Sequence, residues 1–547
     1  MEEIAGGSRA AQNGLTGPRA SGALVFIGFM GAGKSTAAGE VADALGLSVV
    51  DSDAEIERRH GVTIASLFAE LGEQGFREIE ERVVLDLLGA AGAQGAVSLG
   101  GGSVLSPRVQ QELARHVVVL LDVDAQSAWE RAHAHEVDRP LARDWERFAE
   151  LLEQRGPIYI ALADAILPAR VPGVGAQAAQ ALGRLRAAPA GTKMLWASSV
   201  SGSYPVLVRR GLVTQGLMCE GVAAGAWPLD RSVSCAFCVT DANVGPLYGQ
   251  RLGALTGTFT LAPGESHKTL ASAQTVWEAM VQGELTRADH VVALGGGVVG
   301  DLAGFCAATY QRGIPHVQVP TTVVAQVDSA YGGKTGVDLP EAKNYVGAYH
   351  QPSGVIVDPD TLASLPPREL SAGWVEVLKT GLIAGGELWQ RVQEDAPLDE
   401  RTILLCAQTK VGIVAQDERD SGARQTLNLG HTIGHAIETV TGYERYLHGE
   451  AVGLGLLAAL RLSGAEQLRE QVQEMMRVRG LPARLVGASA EDVVAATRRD
   501  KKRLHGEVPF VLVDRPGAVQ IGHAVPEAQV RAAVAELCAD GAAAGNG

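Results

Sequence analysis

Between Leu294 and Asp338 the chain reads LGGGVVGDLAGFCAATYQRGIPHVQVPTTVVAQVDSAYGGKTGVD, which gathers two glycine clusters, a Thr pair and the charged side chains Asp301, Arg312, Asp328 and Lys334. Gly295, Gly296 and Gly297 follow the apolar run HVVAL and precede a helix-like run. That order lets a backbone close on a phosphate at a helix N-terminus. Charges set between apolar segments need partners or a ligand. A second stretch, GFMGAGKS, spaces Gly28, Gly33, Lys34 and Ser35 as a P-loop between a short apolar strand and a helix. Its backbone N–H groups would cradle phosphates, Lys34 would reach the β/γ oxygens and Ser35 would ligate Mg²⁺. Gly31, Gly33, Lys34, Ser35 and Thr36 are the candidate ATP contacts.

Around the P-loop, the strand LSVV ends in DSD, so Asp51 and Asp53 stand where open α/β sheets bind ligands. One could help hold Mg²⁺ and the other could take a hydroxyl proton. Arg77 and Glu80 lie three apart on a helix, which read alone is an ordinary surface pair, and Gly100, Gly101 and Gly102 follow another strand. Farther along, Asp241 and Asn243 end the strand SCAFCVT, Glu265 and Lys268 share a turn, and Lys343 and Asn344 follow the opening stretch. Glu376 and Lys379 share a helix face, as do His431 and His435, and His448 precedes a further apolar helix. Three histidines with a carboxylate within reach are what a catalytic Zn²⁺ site with an open position requires. No Glu stands inside HTIGH as a base, which excludes a metalloprotease. Lys334, Lys343, Lys379, Lys410, Arg424, Lys501 and Lys502 suggest a pocket for a doubly anionic substrate.

These groups need more than one core to hold them: 547 residues point to roughly three domains. A net charge of −15 argues against nucleic-acid or anionic-membrane partners, so phosphate sites must be built locally. No uninterrupted apolar run of ~20 residues is present to span a membrane, and MEEIAGGSRAAQNG shows no apolar signal region. Six scattered cysteines suggest a reducing cytoplasm rather than a disulfide framework. The CxxC of Cys235 and Cys238 falls in a strand, whose alternation separates the sulfurs.

The P-loop, DxD, FRxxE, the GGG after a strand, RPL and RxxxY together resemble shikimate kinase over roughly residues 22–187. The likeness implies that Asp53, Arg77, Gly101 and Arg155 hold shikimate, with Asp53 beside its 3-hydroxyl. It implies that Arg139 is a lid arginine closing on ATP, and that Ser35 and Asp51 serve Mg²⁺. Ala142 stands where the family's lid commonly has a second Leu.

Residues 194 to about 535 resemble 3-dehydroquinate synthase through PGExxK, GGGxxxDxxGF, YxRG, PTTxxxxxDSxxGGKT, KN, GWxExxKxG, RxxLNxGHTxGHAxE, HGE and DKK, all in the family's order. By that likeness Glu376, His431 and His448 would bind Zn²⁺ or Co²⁺. Asp241, Asn243, Glu265, Lys268, Gly296, Gly297, Asp301, Thr321 and Thr322 would hold NAD⁺. Asp328, Lys334, Lys343, Asn344, Lys379, Lys410, Arg424, Asn428, His435 and Lys501 would surround the substrate, with Asp328, Lys334, Lys379 and His435 in catalytic roles. Arg312 would reach a neighbouring subunit, implying a homodimer. Ala330, Tyr331 and Asp338 depart from the common DSSVGGKTGVN, leaving the packing beside Asp328 open.

The expected fold is α/β. A flexible lead (1–20) and a P-loop kinase-type parallel-sheet domain (21–186) come first, followed by a linker (187–193) and an NAD-binding α/β domain (194–364). A mainly helical metal and substrate domain (365–538) and a disordered tail (539–547) complete the chain. The implied activities are ATP-dependent phosphorylation of shikimate and cyclisation of 3-deoxy-D-arabino-heptulosonate 7-phosphate to 3-dehydroquinate. The competing readings are a cyclitol-forming sugar-phosphate cyclase for the second half and a non-catalytic shikimate sensor for the first.

Overall fold

The computed structural model describes residues 21–134, 144–216, 227–230, 234–340, 342–498 and 509–538. The expected lead and tail, the lid arginine Arg139, and Lys501 with Lys502 lie outside them. The strands are β1 (Leu24–Ile27), β2 (Ser48–Asp51), β3 (Gly95–Ser98), β4 (Val117–Asp122), β5 (Ala165–Pro168), β6 (Lys193–Ser198), β7 (Ser203–Val208), β8 (Ala236–Asp241), β9 (Gly257–Leu261), β10 (His290–Gly295), β11 (His316–Pro320), β12 (Lys334–Leu339), β13 (Ala342–Tyr349), β14 (Gly354–Val357), β15 (Pro509–Arg515) and β16 (Ala518–Ala524). They build two compact units, one on β1–β7 and the other on β8–β16.

In the first unit the strand order is β2-β3-β1-β4-β5-β6-β7, parallel except for the antiparallel β6–β7 pair. β1 (LVFI) is buried throughout, as an apolar run inside a parallel sheet must be. The strand passes directly into the phosphate loop. Gly31 there has φ 79, and a Cβ would stand 2.3 Å from the Ala128 carbonyl oxygen, so both conformation and space require glycine. The helix Lys34–Leu45 then starts from Gly33, also left-handed. The helix Ser52–His60 starts from Asp51, whose Oδ1 accepts the backbone N–H groups of Asp53 and Ala54 at 3.0 and 3.2 Å. This cap fixes both carboxylates of DSD at the sheet's C-terminal edge.

The second unit has the parallel order β14-β11-β10-β8-β9. Its core packs the helices Leu270–Gln282 and Gly297–Thr309 on this sheet through residues such as Phe237, Val276, Met280, Leu302 and Phe305. β12 and β13 form a separate antiparallel pair, as do β15 and β16. From residue 367 long helices dominate, including Pro367–Ala384, Glu400–Gln416, His431–Val440 and His448–Leu462. This is the α/β-then-helical order expected. Cys238 is buried within β8 while Cys235 is exposed ahead of it, and both are free thiols. No helix among the described residues is long and apolar enough to cross a membrane.

The segment carrying Asp328 departs from an α-helix. Residues Ala325–Ser329 form a π turn in which the Ala330 N–H reaches back five residues to the Ala325 carbonyl at 3.3 Å. The shift releases the Gln326 carbonyl, and the Tyr331 hydroxyl donates to it. Tyr331 is buried, so the residue that left local packing open supplies the partner this turn needs.

Candidate active sites

In the first unit the Lys34 ammonium donates to the Phe29 carbonyl at 3.1 Å, which arches it over the loop. Ser35 Oγ donates to Asp51 Oδ2 at 2.6 Å and lies 3.2 Å from Ser98 Oγ. A hydroxyl and a carboxylate at the mouth of a phosphate loop are a fitting donor set for Mg²⁺. Burial, with the Asp51 carboxylate beside it, raises Asp53 to about 6, while Lys34 pulls the other way. A carboxylate so tuned is a competent proton acceptor near neutral pH.

Arg77 and Glu80 correct the surface-pair reading. Glu80 is only 3% exposed, accepts from Arg77 Nη1 at 2.5 Å and from Ser103 Oγ at 2.8 Å, and so aims the guanidinium into the site. A Cβ on Gly102 would fall 2.0 Å from Arg77 Nη1, so the glycine run makes room for this arginine. The Gly101 carbonyl accepts from the Tyr159 hydroxyl at 2.6 Å. Burial lifts that phenol to about 12, with Arg155 and Arg77 opposing. Arg155 is buried one helical turn before Tyr159. Arg77, Arg155 and Glu80 thus all lie near the Tyr159 phenol that donates to Gly101, and Asp53 and Glu80 both stand against Gly100. Glu80 and Tyr159 are not among the site residues expected from the sequence, although FRxxE and RxxxY carry the signal.

In the second unit Gly296 caps the helix Gly297–Thr309 beyond β10, and a Cβ on it would meet Thr322 at 2.7 Å. Thr321 Oγ1 is buried without a hydrogen-bond partner among the described residues, and its backbone N–H donates to the Gly295 carbonyl at 2.9 Å. An open glycine cradle beside an orphaned hydroxyl fits a dinucleotide phosphate. The Asp241 carboxylate caps the following turn by accepting the N–H groups of Asn243 and Val244 at 2.8 and 2.9 Å. Lys268 is buried and sits 2.8 Å from Glu265, 3.2 Å from Asp301, 2.8 Å from Asn344 Oδ1 and 3.8 Å from Asp338. Burial lowers the Lys268 pKa, but these carboxylates outweigh it and leave it raised. Burial lifts Asp301 to about 6 against the pull of Lys268. Asp338, one of the departures, also accepts the Asn344 N–H at 2.7 Å and supports that residue's left-handed backbone, φ 54.

Asp328 holds two cations, Lys379 through Oδ2 at 3.0 Å and Lys410 through Oδ1. Lys379, 1% exposed, also lies 2.5 Å from Glu376 Oε2. Burial and the neighbouring Arg424 bring Lys410 down to about 7, whereas its direct contact with Asp328 favours the charged form. Arg424 is buried and donates to the Glu418 and Gly332 carbonyls at 2.6 and 3.1 Å. Lys334 is half exposed and paired with Asp420 at 2.5 Å. Lys343 stands 3.8 Å from Glu265, 3.7 Å from Glu438 and over the Tyr443 ring at 4.2 Å. Asn428 ends the turn Ala423–Asn428 ahead of the histidine helix. Arg312 stands exposed in the left-handed region (φ 69) on a turn after Thr309.

Glu376, His431 and His448 place one ligand atom each within 4.8 Å of one another. Nε2 of His431 and of His448 lie 3.7 and 3.6 Å from the same Glu376 Oε1. Glu376 is fully buried, yet among the described residues no aligned hydrogen bond reaches either carboxylate oxygen. Its pKa nevertheless falls well below the usual range because Lys379 and the two rings outweigh burial. Burial and Lys379 hold His431 neutral, whereas Glu376 and Glu438 overcome burial at His448 and lift it to about 9. A buried, under-bonded carboxylate facing two imidazole nitrogens fits a divalent ion with an open position. His435 is exposed, its ring 5.2 Å from that of His431 and 5.9 Å from that of His448.

The fold and these residues define a P-loop kinase-type unit followed by a unit with a glycine-cradle nucleotide site and a His₂Glu centre. A family model of shikimate kinase matches residues 30–182, and models of 3-dehydroquinate synthase, N-terminal and C-terminal, match 258–372 and 373–503. The 3-dehydroquinate synthase of Symbiobacterium thermophilum is 44% identical over 340 residues, 58% of this chain and 93% of that protein. That of Halorhodospira halophila is 43% identical over 351 residues, 61% and 96% of the respective chains. A 2-epi-5-epi-valiolone synthase from Streptomyces hygroscopicus, solved with NAD⁺ and Zn²⁺ bound, is 26% identical, with TM-score 0.55 and coverage of 61% of this chain and 97% of that one. The chain belongs to the 3-dehydroquinate synthase family and carries a shikimate kinase domain fused ahead of it.

Proposed function

We propose that this chain is a bifunctional enzyme, phosphorylating shikimate with ATP through residues 21–186 and cyclising 3-deoxy-D-arabino-heptulosonate 7-phosphate to 3-dehydroquinate through residues 194–538. The observation that carries the second activity is the convergence of Glu376, His431 and His448 beside the buried Lys379–Asp328–Lys410 chain. A substrate bearing both a carboxylate and a phosphate suits so many internally paired cations.

In the kinase site, Lys34 and the loop N–H groups hold the ATP phosphates, and Ser35 with Asp51 would hold Mg²⁺. Arg77 and Arg155 grip the shikimate carboxylate, for which a guanidinium fork is well shaped. Asp53 takes the 3-hydroxyl proton as the phosphoryl group is transferred.

In the synthase site, Gly296, Gly297, Thr321 and Asp241 would hold NAD⁺, and Glu376, His431 and His448 would hold Zn²⁺ or Co²⁺. When bound, NAD⁺ would supply a reversible oxidation at C5 and the divalent ion would polarise the oxygen concerned. Lys334, Lys343, Asn344 and Asn428 orient the phosphate end, and Arg424 with Lys410 anchors the carboxylate. Asp328, Lys379 and His435 line the path along which protons move. The conversion as a whole closes the ring and releases phosphate, while these side chains hold the two anionic ends of the substrate and carry the protons that move. We further propose a cytoplasmic homodimer, with Arg312 reaching the neighbouring subunit's phosphate site, and no nucleic-acid or membrane partner.

Mass-spectrometric product analysis tests both halves: each substrate is supplied with its cofactors, with and without a transition-metal chelator. Shikimate 3-phosphate is expected in both conditions with Mg²⁺ in excess, and 3-dehydroquinate only without chelator. Turnover of sedoheptulose 7-phosphate in place of the heptulosonate would overturn the synthase assignment. Shikimate binding without ADP release would overturn the kinase one. Light scattering of the purified chain with and without Arg312→Ala reads the assembly, and a monomer with full cyclisation would remove the shared-site proposal.

A further inference from the structure

His448 faces two carboxylates at once. Its Nε2 lies 3.6 Å from Glu376 Oε1 and its Nδ1 lies 3.4 Å from Glu438 Oε1. Two trios with metal-ligand chemistry therefore share it, Glu376–His431–His448 and His435–Glu438–His448. The outer bonds of the rings discriminate between them. His431 Nδ1 is 3.1 Å from the Leu429 carbonyl, an acceptor that can only receive a proton. With Nδ1 protonated, its Nε2 lone pair is left pointing toward Glu376 Oε1. Glu438 offers His448 Nδ1 the same service through a carboxylate.

Glu438 is itself constrained. It lies seven residues beyond His431 on the helix His431–Val440, two turns on and on the same face. It is buried, and Lys343 Nζ approaches the same Oε1 at 3.7 Å from β13. A carboxylate fixed by a lysine from another element is a rigid acceptor, whereas His435 in the competing trio is exposed.

We propose that Glu438 is a positioning residue of the metal centre: it accepts the Nδ1 proton of His448 and so presents Nε2 of that ring to the metal, without ligating the metal itself. This rests on the assignment of Glu376, His431 and His448 as the ligands. The pairing fixes the tautomer and the ring plane together, and such outer carboxylates typically change metal affinity by about 10–100-fold.

The test is Zn²⁺ affinity of the metal-stripped full chain, read by competition with a chromophoric chelator, alongside the visible spectrum of the Co²⁺-loaded protein. Glu438→Ala is expected to weaken Zn²⁺ binding by about 10–100-fold while keeping an intense Co²⁺ band shifted in position. Glu438→Gln keeps an acceptor oxygen and is expected to recover most of the affinity. Unchanged shikimate phosphorylation and an unchanged melting transition of the metal-free chain report that the variants fold. Affinity within twofold of the parent in Glu438→Ala would overturn the proposal. So would a loss as deep as that of His448→Ala with collapse of the Co²⁺ band, which would make Glu438 a ligand. If His448→Ala itself leaves Zn²⁺ affinity intact, the ligand assignment fails and the proposal falls with it.

Discussion

Asp53 and Asp328 stand at the centres of the two sites and are held in opposite ways. Asp53 has Asp51, Glu80 and Lys34 among its neighbours, and burial leaves it at about 6. Asp328 is gripped by two ammonium groups, one of them on the fully buried Lys379. The kinase site keeps an acid in an unfavourable setting, ready to accept a proton, and would leave the compensation of ATP's charge to Lys34, backbone N–H groups and Mg²⁺. The synthase site instead neutralises its own cations with internal carboxylates before any substrate arrives. The same side chain is thus a source of stored destabilisation in one unit and a structural counter-ion in the other.

Replacing the two acids should therefore move stability in opposite directions, and the larger change belongs to Asp328. Asp328→Asn strips the shared counter-charge from Lys379 and Lys410. Removing one partner of a buried ion pair costs about 3–5 kcal/mol, and cyclisation should fall on the order of 10²-fold as well. Thermal unfolding and a phosphate-release assay read both effects. A loss under about 1 kcal/mol would mean that Glu376, 2.5 Å from Lys379, suffices alone, and the contrast with the kinase would weaken.

Asp53→Asn should lower phosphorylation by about 10²–10⁴-fold while making the chain more stable. The folded-state value of about 6 lies above the ordinary 3.8, so ionising Asp53 costs stability. That cost is absent below about pH 4, grows between 4 and 6, and reaches about 3 kcal/mol above the folded value. The variant's advantage in melting temperature should accordingly be present at pH 7 and vanish in acid. Equal stability of variant and parent across this range would show that Asp53 is not held as described.

A smaller effect is expected where the π turn presents Asp328. Tyr331→Phe leaves the Gln326 carbonyl without the hydroxyl that now serves it. A buried acceptor so orphaned costs about 1–3 kcal/mol. If the turn is the device that aims Asp328, cyclisation should drop more than this stability loss alone explains, with phosphorylation unaffected. Parallel losses of melting temperature in both units' activities would instead mark Tyr331 as ordinary packing.

The architecture was largely legible because its strongest signals are local. LVFIGFMGAGKS carries strand, loop and helix start in one run, and the i,i+3 and i,i+4 spacings of Glu376 with Lys379 and His431 with His435 place each pair on one face. What stayed hidden depends on contacts between distant segments. Glu80 read as half of a surface pair because Ser103, which helps bury it, lies 23 residues away. Glu438 gives no signal in the sequence, since its partners come from β13 and from the next helix. Asp338 and Tyr331 looked like unexplained departures, and only the left-handed Asn344 and the π turn give them work. Sequence spacing cannot announce a carbonyl released by a five-residue hydrogen bond.

The finest test of the contrast is Asp420, which pairs with Lys334 at 2.5 Å from a left-handed backbone position, φ 63. Lys334 is half exposed, so the pair contributes little to folding, ~1 kcal/mol at most. If the synthase keeps its cations neutralised until substrate arrives, an incoming phosphate must displace this carboxylate. Asp420→Asn is the clean probe, because Asn tolerates the left-handed region and keeps the side chain's shape. Losing a competing anion worth up to ~1 kcal/mol should tighten binding of inorganic phosphate and lower the substrate KM by about 2–5-fold, with little change in melting temperature. A rise in KM would mean that Asp420 holds Lys334 in place for the substrate, and the pre-neutralised picture would then apply to the buried lysines alone.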